Sequence, residues 1–199
     1  MTDWDADSPA LRRNLTAVGK AIANSANRRA KPSLELVREW HRRTLVGLDV
    51  PDRAYVGRFR GEPGVRLDVK IGAADGIAHR RVKGQLKEFE RRLQSAVATL
   101  DQQYPAGAWL DMDAMKAVVE VAAFAHAEWI RIHPFVNGNG RTARMWANFL
   151  LQRFGLPPVM RLRPRPQGDY AAVGARAMAG DRGPTVTLIY RMLSALRPR

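Results

Sequence analysis

His133-Pro134-Phe135-Val136-Asn137-Gly138-Asn139-Gly140-Arg141-Thr142-Ala143-Arg144 decides the reading of this chain. Helical patterning runs up to it over Met112–Ile132 and resumes after it over Thr142–Phe154. The stretch is therefore a helix–loop–helix junction. Gly138 and Gly140 permit positive φ and close approach of the backbone to a ligand. Successive N–H groups there can form an anion nest, and the next helix adds the positive end of its dipole. Arg141 and Arg144, three apart, share one face of its first turn, and each guanidinium suits a phosphate. Asn139 offers a side-chain donor at the loop crest. His133 precedes a proline, which pushes it out of the α region and ends the first helix. Its imidazole can accept a proton near neutral pH. Together these residue types suit a polyphosphate held beside a base.

The same stretch resembles the signature of the Fic family, His-x-Phe-x-(Asp/Glu)-Gly-Asn-Gly-Arg-x-x-Arg. Every fixed position matches except one, where Asn137 replaces the acid. The resemblance implies nucleotidyl transfer, usually of AMP from ATP, to a Ser, Thr or Tyr hydroxyl of a target protein. It implies His133 as general base and Gly138, Asn139, Gly140, Arg141 and Arg144 as nucleotide-binding residues. It places Mg²⁺ at position 137, where Asn offers a neutral oxygen and a weaker site. In Doc-type relatives, which transfer phosphate, a Lys stands where this chain has Gly140, so the AMP pattern fits better. The alternatives are a weakened or inactive nucleotide-binding or protein-interaction module, marked by Asn137, or transfer of a different phosphate-containing group.

The chain has 199 residues and a hydrophobic fraction of 46%, as expected for one globular domain over 1–199. The family-like core is expected over about 34–156. Cysteine is absent, which removes disulfides and thiolate chemistry. With no apolar leader and no long apolar run, a cytoplasmic protein is expected, with secretion as an effector left open. The formal charge of +14 favours polyanionic partners such as nucleotides. Its basic residues are spread along the chain with little aromatic interleaving, which argues against a nucleic-acid module.

The remaining pattern is helical with one exception. Ser8 and Pro9 start a helix running to about Ala23, followed by a polar loop over Asn24–Lys31. Ser33 caps a helix to about Leu45, with Leu34, Val37 and Trp40 inward; His41 on it reads as a core-edge residue without a partner. Val65-Arg66-Leu67-Asp68-Val69-Lys70-Ile71 alternates apolar and polar, the mark of a half-buried strand. Tyr55–Arg60 is its expected partner across a Gly61-Glu62-Pro63-Gly64 turn. This hairpin resembles the Fic flap, which pairs with an extended target segment by strand addition. Val65, Leu67 and Val69 are then the docking residues. His79 reads as a solvated loop residue. Helices are expected over Gln85–Gln103, from Asp111 or Asp113 to the junction, over about Asp169–Met178 and over Pro184–Leu196. His126, two turns before His133, reads as packing, because helical metal pairs sit four apart. Arg161–Pro166 is a basic, proline-broken loop.

The fold class is therefore all-α with one β-hairpin. Many Fic proteins carry an inhibitory (Ser/Thr)-x-x-x-Glu helix. No Ser or Thr here has Glu four residues on, which leaves restraint to a separate antitoxin-like protein, to another device, or to nothing.

Overall fold

In the computed structural model, which describes residues 7–72 and 74–196, seven α-helices surround one aromatic core. They are α1 (Pro9–Asn27), α2 (Leu34–Thr44), α3 (His79–Gln103), α4 (Met112–Ile132), α5 (Asn139–Arg153), α6 (Tyr170–Met178) and α7 (Gly183–Ser194). Two short antiparallel strands, β1 (Lys70–Ile71) and β2 (Ala74–Asp75), make a hairpin with Lys70 opposite Asp75. The all-α class with one hairpin thus holds.

Capping explains several starts. Ser8, Ser33 and Asp111 each accept from a backbone N–H in the first turn of α1, α2 and α4. Alanines at 122, 123, 125 and 127 are buried on α4, and small side chains let neighbouring helices approach closely. This helix packs against α3, α5, α6 and α7, and is the central element. Trp40, Phe89, Trp129, Trp146 and Phe149 meet at its centre; Trp40 and Trp146 lie edge to face at 5.3 Å. Phe135 of the junction joins this cluster, fully buried at 6.0 Å from Trp129. A core residue therefore anchors the loop that the site needs.

Two helix boundaries away from the junction differ most from expectation. Ser25 and Ala26 are buried and continue the stripe of Leu11, Leu15, Val18 and Ile22, so α1 runs on through residues expected to form a loop. Helix α3 begins at His79 rather than Gln85. Its cap comes from Asp68, whose carboxylate accepts from His79 N at 2.6 Å and lies 3.1 Å from His79 Nδ1. These hydrogen bonds, the backbone one foremost, hold the Asp68 carboxyl below its ordinary range. His79 is thus a partnered helix residue, not a solvated loop residue.

The hairpin is also displaced. Residues 55–60 do not form a strand; Arg53–Tyr55 is a 3-10 turn. Phe59 and Arg60 are consecutive and both buried, unlike the in–out alternation of a strand with one solvated face. Arg60 N donates to Pro134 O at 2.7 Å, so the segment bonds the junction instead of a neighbouring strand. The Glu62 carboxylate accepts from Phe59 N and from Arg38, closing a tight loop over 59–65. The turn of the real hairpin includes Gly72, at φ +60. Alternation over 65–71 survives as burial: Val65 and Val69 are inside and Leu67 half-buried.

Candidate active site

The junction folds around two side chains. Asn139 Oδ1 accepts from Phe135 N at 2.8 Å, and its Nδ2 donates to Phe135 O at 2.8 Å. With 2% of its surface exposed, Asn139 uses its side-chain amide to clamp the loop shut. His41 is the second support. Its ring stacks on Phe135 at 3.9 Å and 7°. Gly57 N donates to its Nδ1 at 3.0 Å, so the neutral ring carries its proton on Nε2, which donates to Asn137 O at 3.2 Å. His41 is therefore partnered and central to the site's support. Gly138, at φ +81, lies so close that an added Cβ would sit 3.3 Å from His41 Nε2.

Gly138 is the N-cap of α5, which starts three residues earlier than expected. The first-turn N–H groups of Asn139, Gly140 and Arg141 consequently have no intrahelical acceptor. The opposite wall is the end of α4. His133 caps it in the left-handed region, φ 51 and ψ 57, with its N–H on Trp129 O at 3.0 Å. The His133 Nδ1 lies 3.3 Å from Ile130 O. A carbonyl can only accept, so Nδ1 bears the proton and Nε2 keeps a lone pair. Burial pushes the imidazole down to about 4; the Ile130 hydrogen bond opposes this and the Arg60 charge adds to it.

Arg60 has no counterpart in the sequence reading. It is 1% exposed, with Nε donating to His133 O at 2.8 Å and Nη2 to Ile77 O at 2.8 Å and Ile132 O at 3.3 Å. One buried fork thus ties the end of α4 to the segment leading out of the hairpin. Burial lowers its pKa, and Asp68, 3.8 Å away, opposes the shift.

A cavity of about 430 Å³ brings His133, Asn137, Gly138, Asn139, Gly140, Arg141 and Arg144 together. Val69, Lys70 and Ile71, at and next to β1, also line it, as do Leu162, Arg163 and Arg165. Of the expected docking residues, Val69 reaches this cavity; Val65 and Leu67 do not line it, and Val65 is fully buried. Arg144, 4% exposed, is held by Tyr170 Oη at 3.2 Å and Leu162 O at 2.9 Å. Tyr170 Oη also lies 2.9 Å from Nε2 of His126. Burial first, and the Arg144 charge second, push His126 down to about 3, so this histidine is neutral packing as expected.

The residues present do not fit a metal held by the protein. No Asp or Glu lines the cavity. Asn137 Oδ1 turns back on its own loop and accepts from Gly138 N at 2.5 Å. Among the described residues, no group of three His, Cys, Asp or Glu side chains could hold a cation. Nor is any described helix long and apolar enough to cross a membrane.

Known proteins resemble this chain in sequence and in fold. A protein adenylyltransferase fic-1 of Caenorhabditis elegans is 30% identical over 158 residues, 79% of this chain and 26% of that protein. Its Caenorhabditis briggsae counterpart is 39% identical over 159 residues, again 26% of its length. The chain thus spans about a quarter of these relatives. Among solved structures, Fic-1 (residues 134–508) from C. elegans superposes with a TM-score of 0.61 at 25% identity, covering 96% of this chain and 53% of that one. The BepC effector of Bartonella tribocorum with bound AMPPNP gives 0.63 at 18% identity, covering 97% and 89%, a likeness of fold. The model of the Fic/DOC family matches residues 31–151, more than half of the sequence, and with the signature folded as described the chain belongs to that family.

Proposed function

We propose that this chain transfers AMP from ATP to a Ser, Thr or Tyr hydroxyl of a target protein. The observation that supports it is one cavity holding an unprotonated His133 Nε2 beside the α5 N-terminus, Arg141 and Arg144. The relatives named adenylyltransferases agree with it. The target hydroxyl gives its proton to His133 Nε2 as its oxygen attacks the α-phosphorus. The bond from that phosphorus to the bridging oxygen breaks, and pyrophosphate leaves. The chain supplies position and fixed positive charge, the main contributions available for such transfers. Any Mg²⁺ would have to travel on the nucleotide's own phosphates.

The target segment adds as a strand along β1–β2, whose Val69–Ile71 stretch already borders the cavity. We extend this reading to a cytoplasmic setting or secretion as an effector, and to restraint by a separate antitoxin-like protein, another device, or nothing. The test is incubation with ATP labelled on the α- or γ-phosphate and a cell lysate. Label reaching protein from α alone supports nucleotidylation; label from γ alone overturns it.

Arg144→Ala is expected to weaken ATP binding by roughly tenfold and AMP binding by about twofold at most, the loss of one charge-assisted contact to outer phosphates. Calorimetry with both ligands checks it; equal loss for both would place this side chain away from those phosphates.

A further inference from the structure

Arg144 of α5, Tyr170 of α6 and His126 of α4 form one buried line. Arg144 Nη1 lies 3.2 Å from Tyr170 Oη, which lies 2.9 Å from His126 Nε2. A guanidinium can only donate, so the hydroxyl accepts from Arg144. Its own hydrogen then needs an acceptor. His126 Nδ1 is buried without a partner. With the imidazole proton on Nε2, the hydroxyl hydrogen and the Nδ1 lone pair would both be stranded. With Nε2 as acceptor, only the Nδ1 hydrogen is left over. The second arrangement strands fewer buried groups, so Arg144 donates to Tyr170 and Tyr170 donates to His126. Burial holds the histidine neutral, pushed down to about 3, which keeps the Nε2 lone pair available.

The arginine end of this line stands at the loop of the signature. A Cβ added at Gly140 would sit 3.5 Å from Arg144 Nη1. Nη2 is fixed on Leu162 O at 2.9 Å, and Nε is buried with no partner. The guanidinium is thus set beside the first turn of α5 with a donor to spare. An arginine has many rotamers, and one held before the ligand arrives need not be ordered by it.

We propose that His126 and Tyr170 are positioning residues: the histidine orders the tyrosine hydroxyl, and the hydroxyl presets Arg144 for the outer phosphates of ATP. This rests on the cavity being the nucleotide site. AMP lacks those phosphates and gains little from a preset Arg144.

The test is calorimetry of ATP and AMP with the full chain and its variants. Tyr170→Phe keeps the ring and loses the hydroxyl; it is expected to weaken ATP by about fivefold and AMP by less than about twofold. His126→Leu is expected to do the same, and His126→Gln, whose amide oxygen can accept instead, to recover most of the loss. In the Arg144→Ala background, Tyr170→Phe should add less than about twofold, since the hydroxyl acts through that arginine. Should His126→Leu fail to fold, Tyr170→Phe decides alone. Equal weakening of ATP and AMP by Tyr170→Phe would be a general loosening and overturns the proposal. So does ATP binding that falls in Arg144→Ala and stays at the wild-type level in Tyr170→Phe. Both results leave the nucleotide site standing. A wild type that binds neither nucleotide, or an Arg144→Ala variant that binds ATP normally, overturns that reading of the site and the proposal with it.

Discussion

Replacing His133 by Ala is expected to lower the rate of transfer by roughly 10²–10⁴-fold, the usual contribution of a positioned general base. Nucleotide affinity should stay nearly constant, because the phosphate cradle is built from α5 and the loops around it. The wild-type rate should also depend on acid. His133 titrates at about 4 in the fold. Above that pH its Nε2 is free to accept a proton; as pH falls through it, the ring is protonated and the base is lost. A profile of kcat/KM against pH, which reports the groups of the free protein, with calorimetry of ATP for both proteins, checks the two statements. Transfer by the Ala variant at the wild-type rate would remove His133 from the mechanism.

Arg60→Met is expected to destabilise the fold by about 2–4 kcal/mol, because buried carbonyls lose their donor and each group left unsatisfied costs about 1–3 kcal/mol. The guanidinium is enclosed and its donors are spent on carbonyls of Ile77, Ile132 and His133. Two of those carbonyls lie at the end of α4, where the dipole favours a cation. Met fills similar volume and leaves the acceptors buried and unpaired. Denaturant unfolding measures the loss, and a change below about 1 kcal/mol would mean that water can replace the fork. The same variant carries a second readout. Arg60's charge contributes to the depression of the His133 pKa, so the histidine should titrate higher by NMR when that charge is gone.

The signature was legible because its parts are close in sequence. Helix end, glycines, arginines and proline all act within one turn or two of each other, and local rules cover them. The helices were legible for the same reason, since spacing and caps are local. What escaped reading is held by partners far apart in the chain. His41 depends on Gly57 and Phe135, and Arg60 on residues 17 and 73 positions away. Asp68 caps α3 across 11 residues. No spacing in the sequence announces such pairs. Nothing in the sequence spoke against the supposed strand either: Arg58-Phe59-Arg60 alternates polar and apolar as a half-buried strand does, and only the fold shows Arg60 buried beside Phe59. The alternation over 65–71 was read correctly as one buried face, but the assumed partner was the wrong segment. Arg163 and Arg165 were visible as a basic loop. Their approach to the site depends on how the chain after α5 returns past Arg144.

That return path separates heredity from workmanship. The family pattern ends at Leu151, and a chain cut there would keep every signature residue. It would lose Leu162 and Tyr170, the two holders of Arg144, and the basic stretch that helps to line the cavity. An arginine released from both holders regains its many rotamers and must be ordered anew for each ligand. The shared segment thus carries the chemistry as a plan, while the aim of its second arginine is set by a tail outside that segment. Relatives with identical signatures and different tails can therefore differ in how firmly they grip the same phosphate.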